Sequence, residues 1–170
     1  MIYSIMPAQA CHLHLLAAVE QAAASLFPPG SIPDAIRGDS LPLSMLEQAV
    51  LDKALWVAVP DDDPGTPVGF ALLGRAGPFP LLAQVDVHPN HGRRGIGRRL
   101  VNTVIDAMRC ASDSYLFLTT FSDVPWNAPF YASMGFRVVD EAHTPEPLAV
   151  ILTEERSRGL QNRIAMSLHW

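Results

Sequence analysis

The stretch from Gln84 to Arg109, QVDVHPNHGRRGIGRRLVNTVIDAMR, constrains the fold more than any other part of the chain. Val85 and Val87 alternate with polar neighbours as far as His88, the period of a half-buried strand, and Pro89 and Asn90 then break it. From Ile96 the apolar residues Leu100, Val101, Val104, Ile105 and Met108 recur at helical spacing. The spacing therefore predicts a strand, a turn freed by Gly92 and Gly95, and a helix. Arg93, Arg94, Arg98 and Arg99 crowd the positive end of that helix's dipole, where cations are unfavourable. A local rule broken in this way marks a site, and an anion resting on the exposed backbone N–H groups restores the balance. Phosphate is the natural anion. No Gly-Lys-Ser/Thr follows, which excludes a triphosphatase P-loop. The third position after Gly95 and Gly97 is Leu100, which excludes the dinucleotide fingerprint.

The rest of the chain builds outward from this unit. Ile2 to Met6 is a strand candidate, and Pro7 opens a helical run through Ala17, Ala18, Val19, Ala22 and Leu26 that Pro28, Pro29 and Gly30 stop. His12 and His14 in that run do not share a helix face, so a metal role is not expected of them. Residues 31 to 43 read as irregular. Ser44-Met45-Leu46-Glu47 then offers a capping box for a second helix ending near Leu55. Leu55 to Val59 and Pro67 to Arg75 are apolar runs joined by Asp61-Asp62-Asp63-Pro64-Gly65, which makes a hairpin with a solvated acidic turn. Tyr115 to Phe121 is continuously apolar and suits a buried strand parallel to the one ending at His88, because strand, helix and strand form a crossover. Asn127 precedes Ala128-Pro129 and is placed to cap a short helix ending at Gly135. Phe136 to Val139, a helix after Pro145 and Pro147, and a last strand from Arg163 to His169 complete the order. The fold class is α/β (α+β), a mixed sheet with helices on both faces.

The turn resembles the acetyl-CoA loop of the Gcn5-related N-acetyltransferase (GNAT) family, whose pattern is Gln/Arg-x-x-Gly-x-Gly/Ala after a strand ending in His-Pro. Here it reads Gly92-Arg93-Arg94-Gly95-Ile96-Gly97, with Gly92 in place of the leading Gln or Arg. A second block, from Trp126 to Phe136, resembles the family's later signature of Asn and Ala ahead of Tyr and then Gly-Phe, with a shorter step from Asn127 to Tyr131. The two blocks together cover roughly residues 55 to 139. The resemblance implies a mostly antiparallel sheet with a central, splayed pair of parallel strands, and an acceptor pocket shaped by the region before Leu55.

It also implies roles for residues. Acetyl-CoA would be the cosubstrate, its phosphates on Gly92, Arg93, Arg94, Gly95, Ile96, Gly97 and Arg98, its pantetheine along the backbone of Val85 and Val87, with Asn127 and Phe130 beside it. Tyr131 would be the general acid for the leaving thiolate, since a phenol stays protonated at neutral pH. The base is left open by the residues themselves: Asp86 and His88 share one face of the strand with Gln84, Glu47 is a further candidate, and Asp86 is taken as the first choice. The expected function is transfer of an acetyl group to a primary amine, of a small molecule or a peptide N-terminus. A non-catalytic acyl-CoA sensor, or an acyltransferase for longer acyl chains, is the alternative.

Composition bounds the remaining choices. A chain of 170 residues with 49% hydrophobic content is one domain's worth, here residues 1–170. Its formal charge is −5, yet four of its 12 Lys and Arg residues fall between Arg93 and Arg99, which suits an anionic cosubstrate and argues against nucleic acid. Cys11 and Cys110 have no paired spacing, so neither a disulfide framework nor a metal site is expected. With no apolar stretch of membrane-spanning length and no cleavable leader pattern, the expectation is a cytoplasmic monomer or homodimer with no membrane association.

Overall fold

The computed structural model describes residues 1–111 and 113–170, and among them seven strands share one sheet. The chain runs β1 (Tyr3–Pro7), α1 (Ala10–Ala24), α2 (Asp34–Arg37), α3 (Leu43–Leu51), β2 (Leu55–Pro60), β3 (Gly69–Ala76), β4 (Phe79–Val87), α4 (Ile96–Cys110), β5 (Tyr115–Phe121), α5 (Ala128–Ala132), β6 (Arg137–Val139), α6 (Glu146–Ser157) and β7 (Arg163–His169). The spatial order is β1-β2-β3-β4-β5-β7-β6. Every described neighbour pair is antiparallel except β4 and β5. No described helix is long and apolar enough to cross a membrane.

Side-chain alternation gives the sheet two apolar faces, because successive strand residues point to opposite sides. Trp56, Ala58 and Ala71 join Leu100, Val101 and Val104 of α4 in one core. Leu55, Val57, Phe70 and Leu72 join Leu13, Leu16 and Val19 of α1 and Leu46 and Ala49 of α3 in another. Helix α6 covers the far end of that second face, where Leu148 and Leu152 meet Leu81 and Phe117. The fully buried β2 thus reads as apolar along its whole length.

The feature that creates a site is a fault in the middle of the sheet. Leu72 pairs with Gln84 but Leu73 pairs with Leu82, which leaves Ala83 as an extra residue in β4. Such a bulge raises local twist and bends its strand. Beyond it β4 stays with β3 and leaves β5, so the two parallel strands register only at Leu81 and Phe117.

Several local details differ from the sequence reading. The apolar stripe of α1 is Leu13, Leu16, Val19 and Ala23, with Glu20 standing among them, rather than the line through Ala17, Ala18 and Ala22. Helix α3 starts at Leu43 with Pro42 as its N-cap, so Ser44 and Glu47 lie inside it and no capping box forms there. At α1, instead, the Gln9 N–H donates to His12 Nδ1 at 3.1 Å. The opposite ring nitrogen of that buried histidine lies 3.1 Å from the Pro64 carbonyl, tying α1 to the acidic hairpin turn. Part of the stretch expected to be irregular is the short α2. Strand β4 begins at Phe79, ahead of the alternating segment, and α5 ends at Ala132 before Gly135.

Candidate active site

The gap between β4 and β5 opens into two chambers that meet in the middle of the sheet. The first, of about 600 Å³, runs along β4 to the N-terminus of α4. The second, of about 670 Å³, lies under α1, α2 and the end of α6. Both are within the range of ordinary ligand clefts. They share Phe27, Val85, Asp86, Asn127 and Tyr131, which therefore line the junction.

The first chamber is made mostly of backbone. The His88 N–H donates to the Val68 carbonyl at 2.8 Å, so the alternation of an antiparallel pair turns Asp86 to β3 as well and turns the N–H and C=O groups of Val85 and Val87 toward the gap. At the far end the chain turns sharply. Arg93 takes a left-handed φ of 57° and Gly95 one of 76° before α4 starts at Ile96. A non-glycine residue held there stores strain, as loops that aim N–H groups at a ligand often do. A Cβ added at Gly97 would sit 3.7 Å from Phe130 Cζ and 3.9 Å from Val87 Cγ2, ordinary contacts. The protein's own packing therefore does not demand glycine at this position.

The four arginines of the turn have different surroundings. Arg93 and Arg98 line the chamber, and Arg94 does not. Arg98 donates to Ser133 Oγ at 2.7 Å and lies 5.9 Å from the Phe130 ring centroid, which ties α4 to α5 across the chamber mouth. Arg99 donates to the Tyr3 carbonyl at 2.9 Å and serves β1. Among the residues read as cofactor contacts, Val85, Val87, Gly92, Arg93, Gly95, Ile96, Gly97, Arg98, Asn127 and Phe130 are gathered around this chamber, and Arg94 stands outside it.

The junction carries the titratable groups. Asp86 sits on the α1 face of β4, opposite Phe70, and its Oδ2 accepts from Gln84 Nε2 at 2.6 Å. Burial pushes its carboxyl up to about 6, against the lowering effect of that bond. Tyr131 comes from the other face, packed edge-on against Phe130 and Phe136 at 5.1 and 5.7 Å. Burial, reinforced by the Asp86 charge, drives its phenol above the ordinary tyrosine range, so it stays protonated. Asn127 occupies the N-cap position of α5 without a side-chain cap bond, and its Oδ1 instead accepts from Thr120 Oγ1 at 2.9 Å. The cap role read from sequence is not used.

The other two base candidates lie elsewhere. His88 caps a short 3₁₀ turn, its Nδ1 accepting from the Asn90 N–H at 3.3 Å, and Glu47 is exposed on α3; neither lines a chamber. The residue that sequence reading missed is Glu20. It is 7% exposed, lines the second chamber, and accepts the Leu41 N–H on both oxygens at 3.1 and 3.2 Å. Burial raises its carboxyl to about 7, against that hydrogen bond and with a further push from Asp86. A carboxylate interrupting the apolar stripe of α1 was the available signal.

Residues 15–136 match the Acetyltransferase (GNAT) family. Among solved structures, the PaiA N-acetyltransferase of Thermoplasma acidophilum in complex with coenzyme A superposes with a TM-score of 0.72 at 16% identity, covering all of both chains. N-acetylglutamate synthase of Neisseria gonorrhoeae, complexed with coenzyme A and N-acetyl-glutamate, gives 0.72 at 21% identity over 99% of this chain, which spans 35% of that longer one. The ribosomal-protein-S18-alanine N-acetyltransferase of Escherichia coli gives 0.68 at 18% identity, covering 99% of this chain and 94% of that one. At such identities the superpositions speak for the fold. The family match spans most of the sequence and includes the parted strands, the glycine turn and the junction, and so the chain belongs to the GNAT acetyltransferase family.

Proposed function

We propose that residues 1–170 work as one N-acetyltransferase domain that moves an acetyl group from acetyl-CoA to a primary amine by direct attack. The observation that carries this reading is the meeting of an amide-lined chamber and a carboxylate-lined chamber at a junction flanked by Asp86 and Tyr131. Acetyl-CoA supplies an activated acyl carbon on a thiolate leaving group. Its phosphates are assigned to the backbone from Gly92 to Arg98, with Arg93 adding charge, and its pantetheine to the free edge at Val85 and Val87. An N–H of that edge polarises the thioester carbonyl.

The amine enters from the α1 face. Asp86, its carboxyl raised by burial to about 6, takes a proton as the C–N bond forms, and the C–S bond breaks with a proton passing from the Tyr131 hydroxyl to the thiolate. The products are an N-substituted acetamide and free CoA. The two groups approach from opposite faces of the sheet, which keeps the proton acceptor near the amine and the donor near sulfur.

Tyr131→Phe tests this, because it keeps the ring and its packing and removes only the proton donor. CoA affinity by calorimetry should hold while turnover, read as free thiol released with an accepted amine, falls by about 10² to 10⁴. Turnover within threefold of wild type would remove Tyr131 from the chemistry. Tight CoA binding with no thiol release from any amine would favour a non-catalytic acyl-CoA binder.

A further inference from the structure

The charges of the second chamber can be sorted by what already holds them. Arg163 gives both ends of its guanidinium to Glu155, Nε to Oε2 and Nη2 to Oε1 at 2.9 Å each, and a further bond to Thr119 at 3.1 Å. The pair is half-buried and mutually bonded at two points, so its charges largely cancel as seen from the chamber. Arg37 gives Nη1 and Nη2 to the Ala24 and Ile32 carbonyls at 3.0 and 3.2 Å, holding α2 to the end of α1, and its Nε lies 3.9 Å from Asp34 Oδ1. Arg158 closes the rim by pairing with Asp39 at 2.9 Å. The chain's one lysine, Lys53, is not in the lining.

Every described cation of the chamber is therefore committed to an anion or a carbonyl of the protein. The two carboxylates left over, Glu20 and Asp86, receive only neutral donors, the Leu41 N–H and the Gln84 amide. Asp86 lies at the junction and Glu20 lies only in the second chamber, so the two mark successive points along the route an acceptor takes. Ile36, Met45, Leu82 and Leu160 also line that chamber and supply apolar wall.

We infer that the acceptor carries two positive charges and no carboxylate: an aliphatic diamine or polyamine whose reacting nitrogen lies at Asp86 while a second ammonium rests on Glu20 and its methylene chain lies against the apolar wall. This rests on the acyl-transfer reading for which nitrogen reacts, but the charge selection is a property of the chamber alone. A buried carboxylate that receives a cation gains a charge-assisted bond, whereas a substrate carboxylate placed beside two protein carboxylates meets repulsion and competes for arginines that already hold protein acceptors. Burial raises both carboxyls, Glu20 to about 7 and Asp86 to about 6, so a cation placed beside either would favour its ionised form.

Three ligands of one length separate the possibilities: 1,4-diaminobutane, 1-aminobutane and 4-aminobutanoate, which end in an ammonium, a methyl and a carboxylate. Each is titrated by calorimetry into the full chain saturated with CoA, so no turnover is needed. The diamine should bind at least about tenfold tighter than 1-aminobutane, the worth of one charge-assisted bond, with 4-aminobutanoate weakest. Glu20→Gln, which keeps an acceptor for the Leu41 N–H, should bring the diamine down to the affinity of 1-aminobutane. A diamine that binds no better than 1-aminobutane, 4-aminobutanoate binding as well as the diamine by capturing Arg158 at the rim, or no binding by any of the three overturns the inference. Thiol release from acetyl-CoA is then measured with the same amines. The charge order in binding without thiol release would overturn the acetyl-transfer reading and leave the charge selection standing.

Discussion

The two chambers are built from different materials, although they share a wall. The first depends on main-chain groups contributed by one continuous segment, from Val85 through the turn to Arg98, with α5 as its lid. The second depends on side chains brought from α1, the α2 region, β4, β5, α6 and β7, and its character lies in which charges remain after internal pairing. A main-chain site recognises what every member of a family shares, and a side-chain site recognises what distinguishes one acceptor from another.

The sharpest break of that comparison is Gly97→Val. The added Cβ has room among protein atoms, so the fold should survive, with thermal unfolding within a few degrees of wild type. CoA affinity by calorimetry should fall by at least about 10²-fold, since the branched side chain holds phosphate off the helix N-terminus. An unchanged affinity would move the phosphates elsewhere.

A smaller effect separates the second chamber. The Glu20 carboxyl titrates near 7 in the folded chain and near 4.5 when unfolded, so the native state binds the proton more tightly. The contribution of this group to folding stability is then full below about pH 4.5 and is lost as pH rises through 7, the reverse of a salt-bridged carboxylate. Glu20→Gln removes that loss. At pH 8 the variant should be more stable than wild type by about 1 to 3 kcal/mol in urea unfolding, and at pH 4 the two should nearly coincide. A difference independent of pH would assign Glu20 a packing role only.

The smallest effect tests the arginines. Arg93→Ala should weaken CoA binding about fivefold at low salt, less at high salt, because Arg93 lines the first chamber. Arg94→Ala should leave affinity within about twofold, as an exposed residue outside the lining does. Equal losses would mean that the turn attracts phosphate through net charge rather than through placement.

How much of this was legible follows from the same contrast. Strand β4, the glycine turn and α4 could be read directly because periodicity and turn residues are local properties; of the junction residues, Val85, Asp86, Asn127 and Tyr131 stand in two short stretches of sequence and Phe27 in neither. The bulge at Ala83 could not, since nothing about an alanine between Leu82 and Gln84 announces an extra residue; it is defined by the partner strand. The caps went astray for a related reason. Ser44 and Glu47 have the right spacing, but Pro42 already starts the helix, and Asn127 finds Thr120, a partner on another element. Glu20 stayed hidden while α1 was read along its alanines, because a helix this rich in apolar residues does not declare which stripe is inward. Arg163 and Glu155 could be named from sequence, but not that each neutralises the other.

The bulge at Ala83 gives the sheet an edge in its interior. Outer edges invite other chains to add a strand, and proteins guard them with charge, bulges or cover. Here the outward N–H and C=O groups of Val85 and Val87 lie inside a cleft walled by the end of α1 and by α5. A strand edge enclosed in this way offers its hydrogen bonds inside the molecule rather than to a neighbouring chain.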